Sequence, residues 1–187
     1  AEWPGRELAG SGRGGRPRGG AMIRLETERL ALGTWDERHF DAYAAFYADE
    51  EVSRWVGGPR KRNDAWRHLA AQIGHWALRG YGHFCLEERA TGKFVGAVGP
   101  WFPDGWPELE LGYWLVRDMH GKGYATEAGR ECQRFVFEDL GAKTLVSYIR
   151  HDNLASQRVA ERLGGHYDEV AELPDRGEHR VYRYARP

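Results

Sequence analysis

One stretch in the second half of the chain, residues 108–140, constrains the fold more than any other. An apolar run with strand character, residues 109–116, leads into a short turn that contains Gly121 and Gly123, and apolar residues then recur at helical spacing. This order of strand, tight turn and helix aims free backbone N–H groups at one point, with the positive end of the helix dipole behind them. Such a point binds an anion, most often a phosphate, and the two glycines let the backbone approach it closely.

The turn does not match the commoner phosphate loops. A P-loop needs Gly-x-x-x-x-Gly-Lys-Ser/Thr and a dinucleotide fingerprint needs Gly-x-Gly-x-x-Gly, whereas this turn has the sequence Gly-Lys-Gly-Tyr-Ala. A bare Gly-x-Gly is also compatible with a tight turn that holds no ligand. In context, however, residues 116–128 closely resemble the acetyl-CoA pyrophosphate loop of the GNAT N-acetyltransferase superfamily. The run Gly-Lys-Gly-Tyr-Ala-Thr-Glu-Ala is most similar to the RimJ/RimL-type branch, whose members acetylate protein N-termini and, in relatives, small amines.

Composition favours a globular protein with a sizeable core. The 187 residues are 41% hydrophobic and 29% charged, and no apolar stretch approaches the roughly 20 residues that span a bilayer. The net charge of −1 gives no general attraction to nucleic acid or membrane. Cys85 and Cys132 fall inside predicted elements, and no Cys/His spacing suggests a metal. We therefore expect two buried thiols, a metal-free protein and a reducing, cytoplasmic setting.

Residues 1–21 differ from the rest of the chain. Four arginines, two glutamates and seven glycines, with almost no periodic apolar residues, predict a disordered leader or tag-like segment before Met22. A basic tail that contacts RNA is the alternative. Without this segment the chain has a net charge near −3, which argues against a nucleic-acid partner. Residues 22–187 are expected to form a single domain.

Periodicity and turn signals give the rest of the chain a regular order of elements. Strands are predicted near residues 29–35, 83–88, 93–101, 108–116, 143–150, 166–172 and 179–184, and helices near 36–47, 63–79, 124–140 and 153–163. This order, β-α-α-β-β-β-α-β-α-β-β, resembles the GNAT fold, and the opening Leu-Glu-Thr-Glu-Arg-Leu of residues 25–30 is similar to that of the same branch. The expected fold is therefore α/β, a mixed and mostly antiparallel sheet, flanked by helices and split near the ligand.

The resemblance implies a set of residues that bind acetyl-CoA. The backbone of the glycine turn would hold the pyrophosphate, the end of the preceding strand would pair with the pantetheine arm beside a bulge that opens the sheet, and Asn153 would bond the pantetheine amide. Asn153 is also a favoured helix N-cap, and both roles can coexist. The full set is Leu115, Val116, Arg117, His120, Gly121, Lys122, Gly123, Tyr124, Ala125, Asn153 and Ser156.

Acyl transfer from a thioester to an amine needs a held cofactor, a route for the amine proton and a stabilised oxyanion. Ser156, in a segment that resembles the family's Asn-x-x-Ser signature, would lie near the thiol and help to protonate it. Glu110 is the preferred base and Glu108 the second, because a carboxylate half-buried among aromatics has a raised pKa. Ordinary solvated glutamates are the alternative.

Eight tryptophans in the chain, seven of them within residues 22–187, suggest an aromatic acceptor pocket. Trp55, Trp101 and Trp106 lie beside glycine and proline in predicted loops, where binding residues concentrate, and Tyr113 is a further polar candidate. An aromatic wall suits an amine on an apolar or cationic ligand. The remaining tryptophans with a predicted place are Trp35, Trp76 and Trp114 near this wall and Trp66 in the core of the second helix.

Three functions compete at this stage. The first is an acetyl-CoA-dependent N-acetyltransferase that moves an acetyl group directly to a primary amine, on a protein N-terminus or a small molecule. The second is a non-catalytic regulatory module that binds CoA or a nucleotide, and the third is an RNA or ribosome binder with a basic tail. The acceptor, the acyl length and the oligomeric state stay open, with a homodimer among the options.

Overall fold

The computed structural model describes residues 23–186, so the predicted leader at 1–21 lies outside the described residues. The strands are β1 Leu25–Glu26, β2 Leu30–Gly33, β3 Phe84–Glu88, β4 Phe94–Trp101, β5 Glu110–Leu115, β6 Leu145–Ile149, β7 His166–Leu173 and β8 Gly177–Tyr184. The helices are α1 Phe40–Ala48, α2 Glu50–Ser53, α3 Arg62–Arg79, α4 Tyr124–Arg134 and α5 Leu154–Arg162, and α4 continues as a π-helical turn over Phe135–Asp139. The predicted order is confirmed, with the short β1 and α2 added.

The strands form one sheet in the order β1-β2-β3-β4-β5-β6-β8-β7. Every neighbouring pair is antiparallel except β5 and β6, which run parallel. That parallel contact is a single residue pair, Glu110 with Val146. The sheet is therefore mixed, mostly antiparallel and split in the middle, as expected.

Each face of the sheet carries its own apolar layer. The alternating side chains of β5 show the division, because Leu111 packs in the layer with α4 and α5 while Trp114 packs in the layer with α1 and α3. Cys132 lies in the first layer and Cys85 in the second, and both thiols are buried and unpaired, as predicted. The two layers fix β5 from both sides.

Helix α3 buries a different face from the predicted one. Trp66 and Ile73 are 55% and 41% exposed, so the placement of Trp66 in the core is wrong. The buried positions are Ala65, Leu69, Gln72 and His75. Small Ala65 lets α3 pack closely on α1, which turns the neighbouring indole outward. Among the described helices, none is long and apolar enough to cross a membrane.

Strand β4 can approach β5 closely because of Gly96. Its φ is +148°, and a Cβ there would lie 2.2 Å from the Trp114 carbonyl oxygen. We expect Gly96→Ala to lower the free energy of unfolding by about 2–3 kcal/mol through strain and overpacking. Urea denaturation measures this, with Gly33→Ala as control because a Cβ on Gly33 would have nothing within 4 Å. Equal losses in the two variants would contradict the argument.

Candidate active site

A cleft of about 1470 Å³ opens where β5 and β6 separate. Ser147 marks the point of separation, since its hydroxyl donates to the Leu111 carbonyl oxygen at 2.7 Å and lies 2.8 Å from the Tyr184 hydroxyl. Beyond this link the two strands no longer pair, so one edge of β5 is free. The split predicted from the sequence is confirmed, and the side chain of Ser147 was not anticipated.

The free edge of β5 presents backbone groups to the cleft. The Val116 N–H donates to the Val95 carbonyl oxygen at 3.0 Å, so the backbone groups of every second residue, counted back from Val116, point toward β4. Because strand backbone groups alternate in direction, Tyr113 and Leu115 face the cleft. The imidazole Nε2 of His120 donates to the Leu115 carbonyl oxygen at 2.9 Å.

This geometry changes two of the predicted cofactor contacts. The Val116 N–H, predicted to pair with the pantetheine arm, is engaged with β4, and the Arg117 carbonyl oxygen accepts from the His120 N–H. The Arg117 guanidinium, although it lines the cleft, is bound by Asp49 at 2.7 Å and by Glu51. The pairing of β5 with β4 also runs without a register shift from residue 110 to 115, so the expected bulge does not occur there. The sheet opens by divergence of β5 from β6.

The glycine turn has the predicted form of an anion site. The His120 N–H closes a tight turn on the Arg117 carbonyl oxygen, after which Gly121 and Gly123 have φ values of +74° and +81°. Helix α4 begins at the next residue, and no side chain caps it at Gly123. Its first N–H groups lack intrahelical acceptors. Residues 120–125 all line the cleft, so the uncapped helix start is directed at that space.

Residues 25–30 hold the glycine turn in place. Glu127 in α4 accepts hydrogen bonds from the Thr27 hydroxyl at 2.6 Å and from the Arg29 backbone N–H at 2.9 Å. The Arg29 guanidinium also donates to the Lys122 carbonyl oxygen at 3.0 Å and lies 4.5 Å from the Tyr124 ring centroid. The segment at residues 25–30 and the Thr-Glu-Ala segment of α4, both of which resemble the family, therefore contact each other.

Helix α5 forms the other wall beside the free edge of β5. Asn153 caps it, with its side-chain oxygen accepting from the Ser156 N–H at 3.1 Å, which confirms the N-cap role. The Tyr113 hydroxyl donates to the Ser156 carbonyl oxygen at 2.9 Å. This bond joins β5 to α5, and the half-buried Ser156 lines the cleft.

Of the two predicted bases, Glu110 is the one that lines the cleft. It is half-buried at the last paired position before the sheet divides, and the Trp106 indole N–H donates to it at 2.8 Å. Burial raises the pKa of Glu110 to about 7, although that hydrogen bond and the charge of Arg176 oppose the shift. A carboxyl group with such a pKa exchanges protons near neutral pH.

Glu108 has a different environment. It precedes β5 and lies outside the cleft lining, and the Arg183 guanidinium binds both of its oxygens at 2.8 and 2.9 Å. Both oxygens of this carboxylate are therefore engaged in an ion pair away from the cleft in which an amine would bind. The two glutamates that looked alike in the sequence therefore differ in chemistry.

The aromatic wall contains four tryptophans. Trp55, Trp101, Trp106 and Trp114 line the cleft. Trp35 and Trp76 do not; Trp35 is buried against α1, and the indoles of both donate to the His83 carbonyl oxygen. Their predicted place on the acceptor side is wrong because those hydrogen bonds anchor them in the core.

Besides Ser147, the sequence analysis missed His83, Gln72 and Arg176, which also line the cleft. Both ring nitrogens of His83 are buried without a hydrogen-bond partner, and so is the side-chain oxygen of Gln72. Burial lowers the pKa of His83 to about 3, so this imidazole is neutral. Arg176 reaches the cleft from the β7–β8 turn. No sequence signal distinguishes these three, because their position depends on packing between distant elements.

Comparison with known proteins identifies the family of the chain. Residues 29–166 match the model of the acetyltransferase (GNAT) domain family. An acetyltransferase from Agrobacterium tumefaciens is 35% identical, superposes with a TM-score of 0.80 and covers 91% of this chain and 99% of its own. The Bacillus subtilis protein YkkB, uncharacterised, is 29% identical over 158 residues, 80% of this chain and 89% of its own. A RimL ribosomal L7/L12 alpha-N-protein acetyltransferase solved with coenzyme A has a TM-score of 0.70 at 17% identity, covering 88% and 98%, which shows a shared fold alone.

The chain belongs to the GNAT acetyltransferase family, as the resemblance indicated. It is an N-acetyltransferase that uses acetyl-CoA as its acetyl donor. The residues present fit that donor, since the helix start at Gly123 is uncapped and a Cβ on Gly121 would meet nothing within 4 Å, which leaves room for a phosphate. Among the described residues, no group of three or more His, Cys, Asp or Glu side chains could hold a metal ion.

Proposed function

We propose that this enzyme transfers the acetyl group directly to a primary amine in a ternary complex, with Glu110 as the general base. The observation that carries the proposal is the position of Glu110. Its half-buried carboxyl group has a pKa of about 7 and lines the same cleft as the glycine turn, next to the free edge of β5. No observation favours a non-catalytic module.

The proposed donor site uses backbone groups more than side chains. The N–H groups of Gly121, Lys122, Gly123, Tyr124 and Ala125 would hold the pyrophosphate. His120 would act through its side chain, because its own N–H already closes the turn and its imidazole fixes the Leu115 carbonyl. The exposed backbone of Tyr113 would pair with the pantetheine arm, and Asn153, whose side-chain oxygen caps α5, retains an NH₂ donor for the same arm.

The proposed chemistry needs one base and one acid. When bound, acetyl-CoA supplies the thioester carbonyl carbon, whose C–S bond breaks as the new C–N bond forms. Glu110 takes the proton that the amine nitrogen loses, directly or through one water. The Ser156 hydroxyl gives a proton to the departing sulfur. The Leu115 N–H, at the free edge of β5, stabilises the negative charge that develops on the carbonyl oxygen.

The acceptor would occupy the side of the cleft walled by Trp55, Trp101 and Trp106. We propose that the chain belongs near the RimJ/RimL-type branch, supported by the Gly-Lys-Gly-Tyr-Ala-Thr-Glu-Ala turn and by the shared fold with a protein whose name gives a ribosomal-protein acceptor. The acceptor is then a protein N-terminus or a small amine. The homodimer and the cytoplasmic setting stay predictions.

Two-substrate initial-rate kinetics test the proposal. Release of free thiol from acetyl-CoA is measured against a panel of peptide N-termini and small amines, and the acetylated amine is identified by mass. Direct transfer gives double-reciprocal lines that intersect. Parallel lines, or a protein carrying a covalent acetyl group after incubation with acetyl-CoA alone, would show an acyl-enzyme and overturn the ternary-complex mechanism.

A further inference from the structure

Among residues 23–186, two neighbouring arginines at the acceptor side lack an ion pair: Arg176 lines the cleft, and Arg60 lies next to it, outside the lining. The Nη2 atoms of Arg60 and Arg176 lie 3.1 and 3.2 Å from the position that a Cβ on Gly57 would take, so two separate loops bring their guanidinium groups together. Within residues 23–186, the ion pairs near the cleft involve other arginines, and Arg60 Nε is buried without a hydrogen-bond partner. Like charges held together in this way repel each other unless an anion lies between them.

The surrounding side chains respond to both cations. Burial lowers the pKa of His68 to about 4 and raises that of Tyr47 to about 12, while the charges of Arg60 and Arg176 act to lower both values. His68 is therefore neutral near pH 7. His68 and Tyr47 thus offer hydrogen bonds at the rim of this cluster without adding a negative charge.

The arginine cluster lies beside the proposed base. The Arg176 guanidinium is 6.0 Å from the centroid of the Trp106 ring, and the indole of Trp106 donates to Glu110. The charge of Arg176 also acts to lower the pKa of the Glu110 carboxyl group. A ligand with its amino group at Glu110 therefore has a cationic surface on the other side of the Trp106 indole.

We propose that the acceptor is an anionic amine, with a carboxylate or phosphate a few bonds from its primary amino group, and that Arg176 and Arg60 bind this oxyanion. The inference rests on the proposed function and adds the charge of the substrate to it. The planar guanidinium fork matches an oxyanion with two parallel hydrogen bonds, and such charge-assisted bonds are the strong ones. The oxyanion supplies the counter-charge that the described chain lacks at this point.

The test compares matched pairs of acceptors that differ only in the anion. β-Alanine is paired with β-alaninamide, 2-aminoethyl phosphate with ethanolamine, and the peptide Asp-Ala-Ala-amide with Asn-Ala-Ala-amide, and rates are compared per free amine. A charge-assisted hydrogen bond contributes about 1.5–3 kcal/mol, so we expect kcat/KM to be about 10–100-fold higher for the anionic member of at least one pair. The pair with the largest ratio identifies the source of the oxyanion.

Two variants assign the preference to the arginines. Arg176→Gln, at an exposed side chain, is expected to reduce the ratio to within about threefold, and the ratio cancels any effect of Arg176 on the pKa of Glu110 because both members of a pair share it. Arg60→Gln should act in the same direction. Arg67→Gln is the control, since Arg67 lies on the exposed face of α3 with Asp64 at 3.2 Å, and it should leave the ratio unchanged.

Two outcomes overturn the inference. One is wild-type enzyme that acetylates neutral and anionic members equally, and the other is a preference that survives both Arg176→Gln and Arg60→Gln. If the protein binds acetyl-CoA but acetylates no amine, the proposed function fails instead. In that case, calorimetric titration of the CoA-loaded protein measures the affinity for each member of a pair. Tighter binding of the anionic member supports the inference, and equal affinities for both members overturn it.

Discussion

Glu110→Gln is expected to lower kcat/KM for acetyl transfer by about 10²–10³-fold with the affinity for acetyl-CoA unchanged. A general base contributes about 10²–10⁴-fold, and glutamine keeps the shape and the hydrogen bond from Trp106 but cannot take a proton. Steady-state thiol release measures the rate, and calorimetry measures the affinity. Glu108→Gln is the matched control and should change the rate by less than about threefold, because its carboxylate serves the Arg183 ion pair. Equal losses in the two variants would remove Glu110 from the mechanism.

The pH dependence gives a second test of the same residue. With an acceptor amine of high pKa, log kcat/KM rises with a slope of about one because the free amine is the nucleophile. Below the Glu110 pKa of about 7 the base must also lose a proton, so the slope of the wild-type enzyme should increase to about two. In Glu110→Gln the slope should stay near one throughout. A wild-type profile without a break would contradict the role of Glu110.

Glu110 should also have a measurable effect on stability. Its pKa is higher in the folded state than the value of 4.5 for an unperturbed Glu, so the folded state binds the proton more tightly. Between about pH 4.5 and 7 the stability that this group contributes falls as the pH rises, and it is lost above 7. Each pKa unit corresponds to about 1.4 kcal/mol, so we expect Glu110→Gln to stabilise the fold by about 1–3 kcal/mol at pH 8. Urea unfolding should show no gain at pH 4.5.

Features of the fold that depend on local interactions could be predicted from the sequence. The strand, glycine turn and helix at 108–140 are set by apolar periodicity and by two positions that need a positive φ, so their order was predicted correctly. The cap at Asn153 is equally local, since its partner is three residues away. Short-range physics of this kind can be deduced from a single chain.

Features that depend on tertiary packing could not be deduced. Glu108 and Glu110 share one strand phase, and only the partners that the fold brings to them, Arg183 and Trp106, distinguish an ion pair from a buried acid. Trp66 is exposed because of the way α3 packs on α1. Periodicity alone does not specify that packing when apolar residues lie on more than one face of a helix. Arg176 reaches the cleft through a hairpin at the far end of the chain, so no local pattern indicates its role.

Replacement of both glycines in the turn, Gly121→Glu with Gly123→Glu, is expected to weaken acetyl-CoA binding by at least about 100-fold. The positive φ at each position disfavours any side chain, and each new carboxylate would place negative charge at the helix start that the pyrophosphate needs. The loss corresponds to at least about 2.7 kcal/mol of binding free energy. Isothermal titration of the purified variant with acetyl-CoA measures it directly.

The matched control separates lost binding from backbone strain. Gly92→Glu places the same side chain at a turn glycine with a φ of +69°, close to the +74° of Gly121, and a Cβ at either position would meet nothing within 4 Å. Gly92 lies in the β3–β4 turn outside the cleft lining, so its variant should lose similar stability and keep full affinity for acetyl-CoA. Unchanged affinity in the turn variant would mean that the donor binds elsewhere in the cleft. Equal loss in both variants would mean that strain, and not the anion site, explains the effect.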